Sequence, residues 1–250
     1  MSDPKISIVT VCFNAVDTIE ETILSVINQT YPNIEYIIID GKSTDGTLDV
    51  INNYRDKFAY FISEPDNGIY DAMNKSLDIA SGDFLLFLGA DDVLYSHNTI
   101  EIVARNCLSR NCVYYGNVIF KPSGKIYKGK FNNIKWAIIN ICHQAIFYPK
   151  EIYNNYKYKL KYKVYADYEY NLRLLSNRIV FRYLDVIVTI YDSSGFSSKT
   201  DDIAFEEDRL KLVKNAVGWI PMFCGVMYRK YIDIFVAKNT AYDRCLNGDI

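Results

Sequence analysis

The sequence predicts an α/β fold: a mostly parallel, Rossmann-like sheet with helices on both faces, followed by a mixed α+β half. Two observations carry this. Apolar runs at 6–13, 34–39, 59–63 and 84–88 alternate with stretches whose apolar residues recur at helical spacing. Acids and amides also gather just after those runs, at the strand ends where open α/β sheets bind ligands.

Taken in order, residues 6–13, ISIVTVCF, read as a buried strand. Asp17 and Glu20 have capping-box spacing, and Ile19, Ile23, Val26 and Ile27 form one helical face before Pro32. Residues 34–39 are a second strand, and Leu48, Val50, Ile51 and Tyr54 mark a helix. A short strand at 59–63 precedes the stripe Ile69, Met73, Leu77 and Ala80, closed by Gly82. FLLFL at 84–88 is the fourth strand, and Ser96 offers a cap for the helix after it. Beyond residue 95 the alternation loosens. A hairpin at 113–120 and 125–129 turns around Pro122-Ser123-Gly124. A strand at 143–148, a helix at 166–176 and one long strand or two at 179–191 complete the reading.

The 250 residues suffice for one sizeable core with a small appendage, and half are hydrophobic. A net charge of −2 lacks the basic excess of a nucleic-acid binder. The start, MSDPKISIVTVCFN, shows no signal-peptide pattern, and no apolar run is long enough to span a bilayer, which predicts a cytoplasmic protein. Cys12, Cys107, Cys112, Cys142, Cys224 and Cys245 form no C-x-x-C pair, which fits reduced thiols. No Pro/Gly/Ser-rich linker, repeat or low-complexity tract interrupts the chain.

The strand ends supply the chemistry. Strand one ends at Asn14, strand two at Asp40-Gly41-Lys42-Ser43-Thr44-Asp45-Gly46, strand three at Glu64-Pro65-Asp66-Asn67-Gly68, and strand four at Gly89-Ala90-Asp91-Asp92. Adjacent carboxylates after an apolar strand repel unless a cation sits between them, and oxygen ligands suit Mg²⁺ or Mn²⁺. A solvated turn is the competing reading of Asp91-Asp92. Asp40 and Asp45 can equally build the DGKSTDG turn.

IIIDGKSTDGT (37–47), EPDNGIYDAMNKS (64–76), SGDFLLFLGADD (81–92), CHQAIFY (142–148) and YADYEYNLRLL (165–175) resemble the inverting glycosyltransferases of family 2, in particular those that assemble bacterial O-antigen, capsule and exopolysaccharide. The resemblance runs from residue 5 to about 200. It implies a GT-A fold, with residues 1–95 as a nucleotide-sugar half, 96–200 as an acceptor half and 201–250 as a helical extension. It implies that Val11, Phe13 and Asn14 line a uracil pocket, that Asp40 meets the base edge, and that Asp66 holds the nucleotide. Asp91 and Asp92 would match the DxD-type motif that contacts ribose, metal and diphosphate. His143 would lie near the diphosphate or acceptor, and Asp167 would be the catalytic base. Many relatives carry a further acid two positions before Asp91, where this chain has Gly89, so the division of labour between Asp91 and Asp92 stays open.

The implied reaction moves a sugar from a UDP-sugar to a hydroxyl of a saccharide or lipid-linked acceptor. The metal offsets charge as the bond to the diphosphate breaks, one carboxylate takes the hydroxyl proton, and opposite-face attack inverts the anomeric centre. Asp167 can instead cap helix 166–176, with Glu169 as the next acid in line, and His143 can be a hydrogen-bonded core residue. Residues 193–200, SSGFSSKT, read as an ordinary loop or a lid. In 222–238, Met222, Phe223, Val226, Met227, Tyr231, Ile234 and Phe235 share a face beside Arg229, Lys230 and Lys238. That is a helix packed on the domain, or an interfacial helix touching the inner membrane. Two competing functions remain. A nucleotidylyltransferase wants a Gly-rich basic loop where this chain has Cys12–Asp17, and G-x-G-x-x-G is missing too. An inactive nucleotide-sugar-binding relative would have no need of Asp91, Asp92 and Asp167.

Overall fold

The computed structural model describes residues 3–107, 109–121, 123–127, 129–192 and 202–246, with side chains up to residue 232. Its strands are β1 (Ile6–Cys12), β2 (Ile34–Asp40), β3 (Tyr60–Ser63), β4 (Phe84–Gly89), β5 (Val93–Leu94), β6 (Cys112–Lys121), β7 (Ile126–Tyr127), β8 (Ile146–Pro149) and β9 (Val180–Asp192). Among the described residues they form a nine-stranded sheet in the order β3-β2-β1-β4-β8-β6-β9-β5, with β7 beside β6. β1 to β4 run parallel, and β8 joins β4 antiparallel. β6 pairs with β8 and β7 antiparallel and with β9 in parallel, through a bulge at Gly116-Asn117.

The helices are α1 (Ile19–Ile27), α2 (Thr47–Asn52), α3 (Ile69–Leu77), α4 (Thr99–Asn106), α5 (Asn133–Ile138), α6 (Lys150–Asn155), α7 (Ala166–Ser176), α8 (Ile203–Val217) and α9 (Trp219–Leu246). β1 is buried throughout, so its alternating side chains feed two cores. Ile6, Ile8 and Cys12 meet α1, α2 and α4, while Val9 and Val11 meet α3 and the aromatic residues of α7. The sheet thus lies between two helical layers, as expected.

The differences are local. The capping box does not form: Thr18 precedes α1 without a side-chain cap, and Glu20 instead accepts from the Tyr54 hydroxyl at 2.7 Å. The α1 entry is held from outside, by Thr47 Oγ1 and Asp45 Oδ2 accepting from the N–H groups of Ala15 and Val16. Ile69 is exposed and Tyr70 takes its place in the core, because α3 begins at Ile69 and its inward face is set one residue later. Residues 143–145 form a 3-10 turn, so β8 begins only at Ile146. Ser96 lies ahead of α4 and bonds Asn98 rather than capping the helix. The β6–β7 hairpin is present, although its Pro122 falls outside the described residues, as does the whole of 193–200. Five cysteines are free thiols among the described residues. No helix searched there is long and apolar enough to cross a membrane.

At the sheet end away from the acidic loops, one carboxylate ties three segments together. Glu35 accepts from Lys5 Nζ (2.7 Å), Ser7 Oγ (2.6 Å), Ser81 Oγ (2.6 Å) and the Ser81 N–H (2.7 Å). Burial alone would raise its pKa. The Lys5, Ser7 and Ser81 hydrogen bonds outweigh burial and hold it at about 2, below the ordinary 4.5. A depressed carboxylate pKa contributes stability above the unfolded-state value, and that contribution is lost as pH falls through the folded one. Glu35→Gln should therefore destabilise the protein by roughly 1–3 kcal/mol at neutral pH. In urea denaturation the gap between variant and wild type should narrow between about pH 4.5 and pH 2. An equal gap at pH 7 and pH 3 would refute this account.

Candidate active site

The loops after β1 and β2 are laced to each other. Asn14 adopts φ 49°, and its N–H donates to Ser43 Oγ at 2.7 Å while its Oδ1 accepts from the Thr44 N–H at 2.9 Å. Asp45 accepts from Val16 and Thr47, which keeps its carboxyl below the usual range. Asp40 has no exposed surface. Its oxygens accept from the Ser43 N–H (3.0 Å), Ser43 Oγ (2.5 Å) and Ser63 Oγ (2.6 Å). Both carboxylate oxygens of Asp40, expected to meet a base edge, are thus engaged by the turn and by Ser63. Val11 is likewise core, and its backbone pairs with Ile39 and Gly89.

What faces outward is a small cradle over Gly41. A Cβ there would lie 2.6 Å from Asp66 Oδ2 and 3.3 Å from Phe13 Cδ2, so those two side chains converge where glycine leaves space. Phe13 is 63% exposed, an unusual position for a phenylalanine at a strand end. Asp66 Oδ1 accepts from the Gly68 N–H at 2.8 Å, which orients the carboxylate. An aromatic face beside an oriented acceptor suits a planar base with a ring N–H.

Asp91 and Asp92 fold back over Gly89. A Cβ at Gly89 would lie 2.5 Å from Asp92 Oδ2 and 2.9 Å from Asp91 Oδ1. Gly89 is therefore a requirement of this arrangement. Asp92 is fully buried; its Oδ1 accepts from the Asp192 N–H at 3.0 Å, and its carbonyl accepts from Thr22 Oγ1 at 2.8 Å. No hydrogen bond of ordinary geometry reaches its Oδ2, although the Gln144 side chain lies near enough to the carboxyl to act as a donor that lowers its pKa against burial. Burial first, then the neighbouring Asp91 charge, push Asp92 up to about 7. Asp91 is partly exposed and is also raised, by burial and by Asp192. A buried oxygen without an ordinary hydrogen bond and two carboxylates raised together are the signature of a missing positive charge, so the pair fits a divalent cation. Among the described residues no cluster of three or more His, Cys, Asp or Glu is suited to hold a metal. Asp91 is the carboxylate presented to the cleft and Asp92 the one behind it.

Asp167 begins α7 and is nearly buried. Oδ1 accepts from the Tyr168 N–H (2.7 Å) and faces Tyr70 OH (3.1 Å), and Oδ2 accepts from Asn140 Nδ2 at 2.9 Å. His143 Nδ1 lies 3.4 Å from Oδ2. The same imidazole acts electrostatically on Asp91 and Asp92 and lowers both against burial. No side chain caps α7. Glu169 points elsewhere: it is fully buried, with Lys159 Nζ at 2.8 Å and Arg173 Nε at 3.3 Å. Held between two cations, it is a structural ion pair rather than a proton acceptor for this cleft.

Sequence reasoning missed Asn140, Tyr70 and Asp192. Asn140 was detectable as an amide inside the apolar stretch WAIINIC, and Asn171 Nδ2 holds it by donating to its Oδ1 at 2.9 Å. Asp192 was detectable as an acid ending a long apolar strand.

The carboxyl edge of the sheet thus gathers the Phe13–Asp66 cradle, the adjacent Asp91 and Asp92, and the nearly buried Asp167 with His143 beside it. The sequence model of glycosyl transferase family 2 matches residues 7–173, and the chain belongs to that family. It is 36% identical over 208 residues to a PGL/p-HBAD biosynthesis glycosyltransferase of Mycobacterium tuberculosis, covering 80% of this chain and 81% of that protein. It is 34% identical over 114 residues to the putative teichuronic acid biosynthesis glycosyltransferase TuaG of Bacillus subtilis, 44% of this chain and 45% of TuaG. Among solved structures it resembles S. aureus TarS in complex with UDP-GlcNAc, with a TM-score of 0.68, 18% identity, and 84% of this chain against 65% of that one. It also resembles the mannosyltransferase PcManGT of Pyrobaculum calidifontis in complex with GDP-Man and Mn²⁺, with a TM-score of 0.62, 15% identity and coverages of 85% and 63%. These likenesses show the GT-A fold. The chain spans less than two thirds of the first of the matched TarS chains, 64% of its length.

Gly89→Ala should displace one or both carboxylates and weaken Mn²⁺ binding by more than tenfold, with a stability cost of about 1–3 kcal/mol. Calorimetric titration with Mn²⁺ in the presence of UDP tests this. Unchanged affinity would mean that the carboxylates do not need the space.

Proposed function

We propose that this chain transfers a sugar from a UDP-sugar to a hydroxyl of a saccharide or lipid-linked acceptor, with inversion, in bacterial surface-glycan assembly. The observation that carries the proposal is the uncompensated Asp91-Asp92 pair over Gly89, with His143 beside Asp167. Family membership and the names of the relatives support the reaction class. The UDP and UDP-GlcNAc seen in TarS support the donor class.

Phe13 stacks on the base, and Asp66 Oδ2 accepts the uracil ring N–H that cytosine lacks. Asp91 faces the diphosphate, while Asp92 is clamped from behind by Thr22 and by the Asp192 N–H. A bound Mn²⁺ or Mg²⁺ would neutralise charge on the departing diphosphate. Residues 96–200 then serve as the acceptor half, and Asp167 takes the proton of the attacking hydroxyl. Asn140 and the Tyr168 N–H fix its orientation, and His143 keeps the proton path inside the cleft.

Two experiments test the reading. UDP release from UDP-sugars should require Mn²⁺ or Mg²⁺ and stop in excess EDTA. Asp92→Ala should lose that activity while still folding, and UDP should raise the melting temperature more than CDP does. Full turnover in EDTA would remove the metal. Asp167→Asn should lower turnover about 10²–10⁴-fold with UDP affinity retained. The product should have the inverted anomeric configuration by NMR coupling constants. Near-normal turnover in that variant, or net retention, would overturn the assignment of Asp167 as the base in a single displacement.

A further inference from the structure

Among the described residues, the two C-terminal helices carry an apolar face that nothing covers. α9 rests its inner side on α5, so closely at Gly225 that a Cβ would lie 2.9 Å from the Ala137 carbonyl oxygen and 3.0 Å from Ala137 Cβ. Arg209 of α8 donates to that same carbonyl at 2.9 Å, and Arg229 of α9 pairs with Glu206 of α8 at 3.2 Å. The inner face is therefore fixed. The expectation of a helix packed on the domain holds for this inner side of α9.

On the outer side, Trp219 is 66% exposed, Ile220 79%, Phe223 63% and Met227 51%. At helical spacing these residues form one continuous stripe. Single exposed apolar residues are ordinary, but a contiguous row of large ones marks an interaction surface. The stripe itself is flanked by lysines, although Glu206, Glu207 and Asp208 lie at the start of α8 and Arg229 is paired with Glu206. Lys214 Nζ sits 4.0 Å above the Trp219 ring, and Lys211 and Lys230 are exposed.

We propose that this surface docks on the headgroup region of an anionic lipid bilayer. An indole and aliphatic side chains that enter the acyl boundary, flanked by lysines whose stems lie along apolar surface and whose heads stay in water, are the composition of an interfacial helix. Lys211, Lys214 and Lys230 border the apolar stripe itself, which sets cationic heads beside the side chains that would enter the acyl boundary, where phosphate headgroups lie. Docking also has a geometric consequence. α9 sits on Ala137 of α5, and three residues further on Asn140 holds Asp167, so a lipid-borne hydroxyl would be delivered near the acid. The surface itself depends on neither the donor nor the chemistry proposed above, so each can fail alone.

The test is flotation of the full chain with vesicles of phosphatidylcholine, with and without phosphatidylglycerol. Wild type should float with the phosphatidylglycerol vesicles only and be released by high salt, and Trp219 emission should shift to the blue. Ile220→Ser with Phe223→Ser should reduce binding more than tenfold, and Lys230→Glu with Lys211→Glu should reduce it at least fivefold. Both variants should keep the wild-type melting temperature, since these side chains are exposed. Absence of binding to either vesicle would overturn the proposal. So would a stable dimer in solution that Phe223→Ser dissociates, because the face would then be a contact between copies.

Discussion

A carboxylate taken out of water needs a proton donor, a proton or a cation, and this constraint organises the molecule. Asp40 meets it with the hydroxyls of Ser43 and Ser63, which binds the ends of β2 and β3 and sets the first loops. Asp202 meets it with the N–H groups of Val164, Tyr165 and Phe205, which joins α8 to the segment entering α7. Asp167 meets it with Asn140 and its own helix start. Glu169 meets it with the cations of Lys159 and Arg173 rather than with hydrogen bonds. Asp92 has one oxygen clamped by the Asp192 N–H and lies beside a second carboxylate rather than a cation.

That contrast separates roles that look alike in the sequence. Asp40 and Asp92 both end apolar strands, and both are fully buried. One is surrounded by serines and the other lies beside Asp91, so the first is answered by hydroxyls and the second is not. Asp167 and Glu169 are similarly close in sequence, yet Lys159 and Arg173 neutralise one and His143 faces the other.

The first half of the fold was legible because β1, β2 and β4 are almost wholly buried, and long apolar runs separated by helical stripes have few other solutions. Helix α7 was legible for the same reason. The short helices α5 and α6 were not, because six residues give too little periodicity to stand out. The site was legible as a set of strand ends, but not in its assignments. Spacing shows that Asp40 lies at the right edge, whereas only tertiary contact shows that Ser63 covers it. Asn140 and Asp192 reach the site from distant segments, and no local pattern links them to it.

The place of β9 has a consequence for how the chain acquires its site. β9 lies between β6 and β5, pairs with the two residues that follow the acidic pair, and donates its Asp192 N–H to Asp92. β1 to β4 can associate from the first third of the chain, but the clamp on Asp92 comes from a residue one hundred positions later. Long-range pairing of this kind is entropically slow. During synthesis the nucleotide cradle therefore precedes the finished acidic pair, and the nascent protein has a folded sheet before it has a complete site.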